Sequence, residues 1–92
     1  MAWTINYDEA ASKDLKKLDR QVARRIRDFM TERVSILENP RDMAEALKGS
    51  KLGEFWKYRV GDYRVVASID DAVVRILVVK VGNRKHVYRI PR

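Results

Sequence analysis

The stretch FWKYRVGDYRV, residues 55–65, reads as two short strands joined by a tight turn. Apolar and polar residues alternate on both sides of Gly61-Asp62, as they do in half-buried strands. A two-residue turn with glycine at its first central position favours type II′ geometry, and such a turn sets the register of the hairpin. The stretch therefore predicts a β-hairpin in which Arg59 lies opposite Arg64.

One face of this predicted hairpin gathers positive charge. Lys57 lies two residues from Arg59 on the face that also carries Arg64. Like charges directly opposite each other destabilise a sheet, and no acidic residue is in view on this face. The other face is apolar and should pack on the helices; it carries Trp56, Tyr58, Val60, Tyr63, Val65 and Ala67. The cations are therefore expected to bind phosphate, the alternative being an ordinary solvated strand face.

The positive charge of the whole chain is also concentrated in its second half, which contains the hairpin. The formal net charge is +7. Residues 1–54 hold 11 basic and 10 acidic side chains, which gives +1, whereas residues 55–92 hold 9 and 3, which gives +6. The three acids of the second half, Asp62, Asp70 and Asp71, fall in predicted turns away from the cationic face. This asymmetry predicts a polyanionic partner, namely nucleic acid, an anionic membrane surface or an acidic protein. A basic surface that serves only solubility stays open as an alternative.

Two amphipathic helices are predicted before the hairpin, as an antiparallel pair with almost no linker. Asp8 and Asp19 are suited to cap them. The apolar stripe of the first helix is Ala11, Leu15 and Leu18. The flank of the second is Val22, Ile26, Phe29, Met30, Arg33 and Leu37, with Val34 close by. Because the residue before a proline avoids helical geometry, the second helix should end at Asn39-Pro40.

Strands complete the predicted fold. They are expected at 3–7, 55–60, 63–70 and 73–81, with residues 40–54 as a connector. The order β-α-α-β-β-β predicts an α+β domain with a mainly antiparallel sheet and the helical hairpin packed on one face.

Length and composition limit the possible functions. Ninety-two residues suit one domain, 1–92, with one modest core. The chain has no cysteine and a single histidine, so no disulfide, metal site or cofactor is expected. The first residues lack the pattern of a signal peptide, and the aliphatic run from Ile76 to Val79 is too short to span a membrane. The expected location is the cytoplasm, with no membrane partner.

Further candidate substrate contacts surround the hairpin in sequence. Lys48 belongs to a glycine-containing segment before it, and four residues after the last long strand can close over the cationic face: Arg84, Lys85, His86 and Arg89. Tyr88 lies among these arginines, where an exposed tyrosine can stack on an unpaired base while the arginines hold phosphate. The alternative, in which Tyr88 packs the end of the sheet, fits the pattern equally well.

The segments LKGSKLGEFWKYRVGDYRVV and VVKVGNRKHVYR resemble the RelE branch of the RelE/ParE toxin superfamily. Its members commonly show a Leu-Lys-Gly turn, then a basic-x-basic-x-Gly-Asp-Tyr-Arg hairpin. A last strand follows that ends in Val-Gly-x-Arg, with Val-Tyr shortly after it. The matching positions are Leu47–Gly49, Lys57, Arg59, Gly61–Arg64, Val81, Gly82, Arg84, Val87 and Tyr88. With the predicted order of elements, the resemblance covers nearly the whole chain.

This resemblance implies the toxin of a type II toxin–antitoxin pair that cuts messenger RNA in the ribosomal A site. The 2′-hydroxyl attacks the adjacent phosphate and leaves a cyclic phosphate and a free 5′-hydroxyl. The implied partners are the ribosome with its mRNA and an antitoxin similar to RelB. The charge bias suits an acidic antitoxin with a disordered segment that folds on binding.

The resemblance also implies a role for each matching residue. Lys57 and Arg59 orient the nucleotide and help to activate the 2′-hydroxyl. Because arginine effectively never deprotonates, Arg59 would clamp phosphate rather than act as a base. Arg64 stabilises the charged phosphorane, Arg84 lies near the leaving 5′-oxygen, and Tyr88 stacks on or positions the substrate.

Two other functions remain open at this point. A ParE-like inhibitor of DNA gyrase shares the fold, but such chains generally lack the full basic set found here. A non-catalytic RNA-binding module is the third possibility.

Overall fold

The computed structural model describes residues 2–47 and 54–87. The elements are β1 (Thr4–Tyr7), α1 (Glu9–Lys17), α2 (Arg20–Phe29), β2 (Glu45–Leu47), β3 (Phe55–Val60), β4 (Tyr63–Asp70) and β5 (Arg75–Asn83). The predictions for Lys48, Tyr88 and Arg89 lie outside the described residues.

The five strands form one sheet in the order β1-β5-β4-β3-β2. All neighbouring pairs are antiparallel except β1 and β5, which are parallel. The two helices pack on one face of this sheet, so the predicted α+β class and mainly antiparallel sheet are confirmed. Among the described residues, no helical segment has the length and apolar composition that spanning a bilayer requires.

Both predicted helix caps are present. The carboxylate of Asp8 accepts a hydrogen bond from the Ala11 amide at 2.8 Å, and that of Asp19 accepts one from the Gln21 amide at 3.0 Å. Capping side chains satisfy amides that the first helical turn leaves without a partner.

The predicted end of the second helix is wrong. After Phe29 the chain continues as a π-helical turn over Met30–Val34, closed by the Ser35 amide, which donates to the Met30 carbonyl at 2.9 Å. The wider turn keeps Met30 and Val34 buried, whereas Arg33, expected on the apolar flank, is exposed. Pro40 instead begins a 3-10 turn, Pro40–Met43, that Asn39 caps.

The segment predicted as a connector holds an additional strand. Glu45–Leu47 pairs antiparallel with β3, so that Glu45 lies opposite Lys57 and Leu47 opposite Phe55. The buried hydroxyl of Tyr58 fixes the 3-10 turn before this strand by donating to the Pro40 carbonyl at 2.8 Å. Three residues are too few to show a clear alternation, so the sequence pattern missed β2.

A bulge between β4 and β5 keeps the core apolar. The register shifts after Val66, which faces Lys80, to Ala67, which faces Val78. Without this shift a strict alternation from Val78 would turn Lys80 toward the helices; with it, the buried residues of β5 are Ile76, Val78 and Val81. The Val81 amide donates to the Asp14 carboxylate of α1 at 3.0 Å, which ties the helix to the bulged strand.

The turn into β5 is longer than predicted. Asp71–Val73 form a 3-10 turn, and Val74 has a positive φ of 53°, so the strand begins at Arg75 rather than at residue 73.

Candidate functional site

A groove of about 820 Å³ opens beside the face of β3 and β4 that points away from the helices. Its lining residues are Asp42, Met43, Ala44, Glu45, Lys57, Arg59, Arg64, Arg84 and Lys85. The other face of the hairpin is the apolar one, where Tyr58, Val60 and Val65 are buried. The hairpin therefore divides its side chains as predicted, with core on one side and cations on the other.

The register of the hairpin confirms the predicted meeting of like charges. Arg59 lies opposite Arg64, and Lys57 lies opposite Val66. Gly61 has a φ of 60° and Asp62 does not have a positive φ, as a type II′ turn requires.

Backbone carbonyl groups hold Arg64 in place. Its Nη1 donates to the carbonyl of Gly61 at 3.0 Å and to that of Tyr63 at 2.9 Å. These contacts draw the guanidinium toward the hairpin turn and leave its other N–H groups for a ligand, since arginine carries five donors. Hydrogen bonds to carbonyl groups thus help this side chain to tolerate its cationic neighbour.

The same turn positions Arg84. The backbone amide of Arg84 donates to the Asp62 carbonyl at 2.8 Å. Its side chain is exposed and lines the groove. Arg64 and Arg84 are therefore fixed to one two-residue turn, although twenty positions separate them in the sequence.

Acidic residues also line the groove, which corrects the expectation that none lies near the cations. Glu45 of β2 is opposite Lys57, and its carboxylate oxygen lies 3.7 Å from the Lys57 Nζ. The Lys57 side chain is 30% exposed and that of Glu45 is 81% exposed. Asp42, in the 3-10 turn, lies on the same wall. Both acids come from the predicted connector, which the charge count of the hairpin did not include.

An ion pair between Arg41 and Asp71 anchors the 3-10 turn that carries Asp42. Arg41 donates to both carboxylate oxygens of Asp71, at 3.2 and 2.7 Å. This contact lowers the pKa of Asp71 and raises that of Arg41. The Arg41 guanidinium also lies 5.6 Å from the ring centroid of Trp56, close enough for a cation–π contact. The 3-10 turn is thereby attached to β3 and to the turn before β5.

Most described candidate residues meet in this groove. Lys57, Arg59, Arg64, Arg84 and Lys85 line it, whereas His86 is exposed and does not. Asp42 and Glu45 were not predicted as part of the site, and their position shortly before the hairpin was the only signal for them. Within residues 2–47 and 54–87, no group of three or more acidic or histidine side chains is arranged to hold a metal ion.

The chain is similar to known toxins of the RelE and ParE families. The family model described as the ParE toxin of the type II toxin–antitoxin system parDE matches residues 5–88. The mRNA interferase toxin RelE of Escherichia coli (strain K12) is 33% identical over 85 residues, which are 92% of this chain and 86% of that protein. Toxin RelE of Mycobacterium tuberculosis (strain ATCC 25618 / H37Rv) is 31% identical over 80 residues, covering 87% and 79%.

Solved structures have the same fold. A chain of the M. tuberculosis toxin–antitoxin complex RelBE2 superposes with a TM-score of 0.81 at 24% identity, over 91% of this chain and 93% of that one. Free E. coli RelE carrying two arginine-to-alanine substitutions gives a TM-score of 0.71 at 30% identity, over 92% and 86%. Because the family model spans most of the chain and the RelE relatives exceed 30% identity, this chain belongs to the RelE/ParE superfamily of type II toxin–antitoxin toxins, in its RelE-like branch.

Proposed function

We propose that this chain is a ribosome-dependent endoribonuclease that cleaves mRNA, the toxin of a type II toxin–antitoxin pair. The observation that carries the proposal is the meeting of four cations, Lys57, Arg59, Arg64 and Arg84, in one open groove. Such a groove suits a phosphate whose negative charge grows during reaction. The E. coli relative is named an mRNA interferase.

The proposed reaction is transesterification at one phosphodiester. The 2′-oxygen attacks phosphorus, the bond from phosphorus to the 5′-oxygen breaks, and a 2′,3′-cyclic phosphate and a 5′-hydroxyl are left. Arg64 stabilises the charge on the phosphorane, and Arg84 stabilises the charge on the leaving 5′-oxygen, which takes a proton from solvent. Arg59 clamps the phosphate. These cations supply the positive charge, so we propose a metal-independent reaction.

The 2′-hydroxyl must lose its proton to a base, and Glu45 is our candidate. Arginine does not deprotonate in proteins, so neither Arg59 nor Arg64 can serve. The carboxylate of Glu45 is in the groove and within 3.7 Å of the Lys57 Nζ, which can orient both the carboxylate and the 2′-oxygen. We also propose that Tyr88 stacks on the substrate, as the family resemblance implies. Further proposed substrate-binding residues are Lys48, Lys85, His86 and Arg89.

The need for the ribosome follows from the openness of the groove. Its cationic side chains at positions 59, 84 and 85 are exposed, and an exposed surface cannot by itself hold a flexible RNA strand in line. Correct orientation of reactants is worth up to roughly 7–11 kcal/mol of the activation barrier. We propose that the ribosomal A site supplies this orientation.

The proposed protein partner is an acidic antitoxin similar to RelB. Structural neighbours include complexes named as RelB–RelE from Pyrococcus horikoshii and Methanococcus jannaschii. We propose that this chain acts in the cytoplasm, where ribosomes are found, as a single domain over residues 1–92.

The second candidate is inhibition of DNA gyrase, because the matching family model is that of ParE toxins. Purified protein is added in parallel to a translation extract, with primer extension on the mRNA, and to a gyrase supercoiling reaction. The proposal predicts new mRNA ends within the reading frame and normal supercoiling. Inhibited supercoiling with intact mRNA would favour the ParE-like function, and RNA binding without either effect would favour a binding module.

A further inference from the structure

The segment after β5 folds back as a closed turn. The amides of His86 and Val87 each donate to the Asn83 carbonyl at 2.9 Å. The Asn83 side-chain oxygen accepts from the Lys85 amide, also at 2.9 Å. Three hydrogen bonds to one asparagine therefore fix the path of residues 84–87.

Val87 anchors this turn on the sheet. It is 1% exposed, although the three residues before it are all exposed. A Cβ placed on Gly82 would lie 3.5 Å from the Val87 Cβ, so Val87 covers Gly82. Gly82 is the cross-strand partner of Arg64, and directly opposite residues project from the same face of a sheet. Val87 therefore fills the space of a missing side chain next to Arg64.

The other end of the turn is bound to the hairpin. The Arg84 amide donates to the Asp62 carbonyl at 2.8 Å, while the Arg64 Nη1 donates to the Gly61 carbonyl at 3.0 Å. A segment held at only one end could pivot away from the groove. The burial of Val87 supplies the second point of attachment, so the backbone that carries Arg84 is held at both ends.

We propose that Val87 is a positioning residue for Arg84. Its burial over Gly82 holds residues 84–87 against the groove, so that the Arg84 guanidinium faces the same phosphate as that of Arg64. This inference rests on the proposed RNA cleavage. A misplacement of about 1 Å can cost about 10²-fold in rate, so we expect a shift of Arg84 on that scale, after the loss of two methyl groups from Val87, to slow catalysis.

The test compares Val87→Ala with Val81→Ala, the same truncation at a position on the helix-facing side, 3% exposed. Both variants should lose thermal stability to a similar extent. Only Val87→Ala should lower the single-turnover rate at saturating ribosomes, by about 10²-fold. Because Val87 acts through Arg84, Val87→Ala should add nothing to the loss caused by Arg84→Ala.

A second pair of variants changes Gly82, the residue of β5 that Val87 covers. Gly82→Val should crowd Val87 out and reproduce the loss of rate. Gly82→Ala should retain the rate, since its Cβ would meet Val87 at an ordinary contact distance of 3.5 Å.

Hydrogen exchange at the Arg84 backbone amide measures how firmly residues 84–87 are held, and it needs no cleavage reaction. Protection should fall in Val87→Ala and in Gly82→Val, and persist in Val81→Ala. Normal protection in Val87→Ala, or a rate equal to that of Val81→Ala, or losses that add to those of Arg84→Ala, would overturn the inference. Lost protection together with an inactive wild-type protein would support the anchor and contradict the nuclease function alone.

Discussion

At the scale of single residues, Glu45 changes the chemistry expected of the groove. The hairpin alone offers phosphate-binding cations but no base. β2 adds a carboxylate 3.7 Å from the Lys57 Nζ. General bases typically contribute 10²–10⁴-fold to a rate, so Glu45→Gln should slow mRNA cleavage on ribosomes by about that factor. Asp42→Asn, on the same wall, is the control and should have a much smaller effect; the reverse order would make Asp42 the base.

Tyr58 links the stability of the protein to pH. Burial raises its pKa from 10.0 to about 12. Between these values the unfolded chain loses the proton and the folded chain keeps it, so stability falls as pH rises through this window. Below pH 10 the contribution of Tyr58 is fully retained.

Tyr58→Phe isolates this effect. Loss of the hydrogen bond to the Pro40 carbonyl should cost about 1 kcal/mol of unfolding free energy at neutral pH. The difference between wild type and variant should shrink above pH 10, because only wild type carries the alkaline penalty. Urea unfolding across this range measures the difference, and a gap independent of pH would rule out the titration of Tyr58.

At the scale of elements, the hairpin turn depends on Gly61. Its φ of 60° is strained for any residue with a side chain, and an added Cβ would lie 3.0 Å from the Nη1 of Arg25. Gly61→Ala should cost about 1–2 kcal/mol of unfolding free energy and disturb the contacts that position Arg64 and Arg84. Gly82→Ala, without a positive φ, is the matched control and should cost less. Equal losses of stability would show that the turn geometry is not the cause.

Elements with a strong local signal were predictable from sequence. Both helix caps and the register of the hairpin followed from Asp8, Asp19 and Gly61-Asp62, because short-range chemistry determines them. The bulge after Val66 and strand β2 were not, because each is tied to a contact between residues far apart in the sequence: the Val81 amide of β5 donates to Asp14, and the Tyr58 hydroxyl donates to the Pro40 carbonyl. The sequence pattern did not indicate the π-turn either. The cations that line the groove were therefore predicted, and the acids of β2 and its preceding turn were missed.

At the scale of the whole molecule, the charge bias predicts a partner. Residues 55–92 carry a net charge of +6, against +1 for residues 1–54. An acidic antitoxin should associate quickly, and more slowly at high salt because electrostatic steering is screened. Expression of this chain alone should stop bacterial growth, and co-expression of the protein from the adjacent reading frame should restore it. Harmless high-level expression of the intact chain would contradict the toxin function.

In the proposed reaction the groove supplies charge and the ribosome supplies orientation. The most direct test is the single-turnover cleavage rate of one mRNA, measured free in solution and in the A site of programmed ribosomes. Cleavage should be negligible on free RNA and fast on ribosomes, with Lys57→Ala, Arg64→Ala and Arg84→Ala each impaired; loss of one such charge stabiliser typically costs about 10²–10³-fold. His86 lies outside the groove lining, so His86→Ala should slow cleavage much less than these three changes; a loss of several orders of magnitude would make His86 an acid or base of the reaction. Comparable rates on free and ribosome-bound RNA would show that the ribosome does not supply the orientation that cleavage requires.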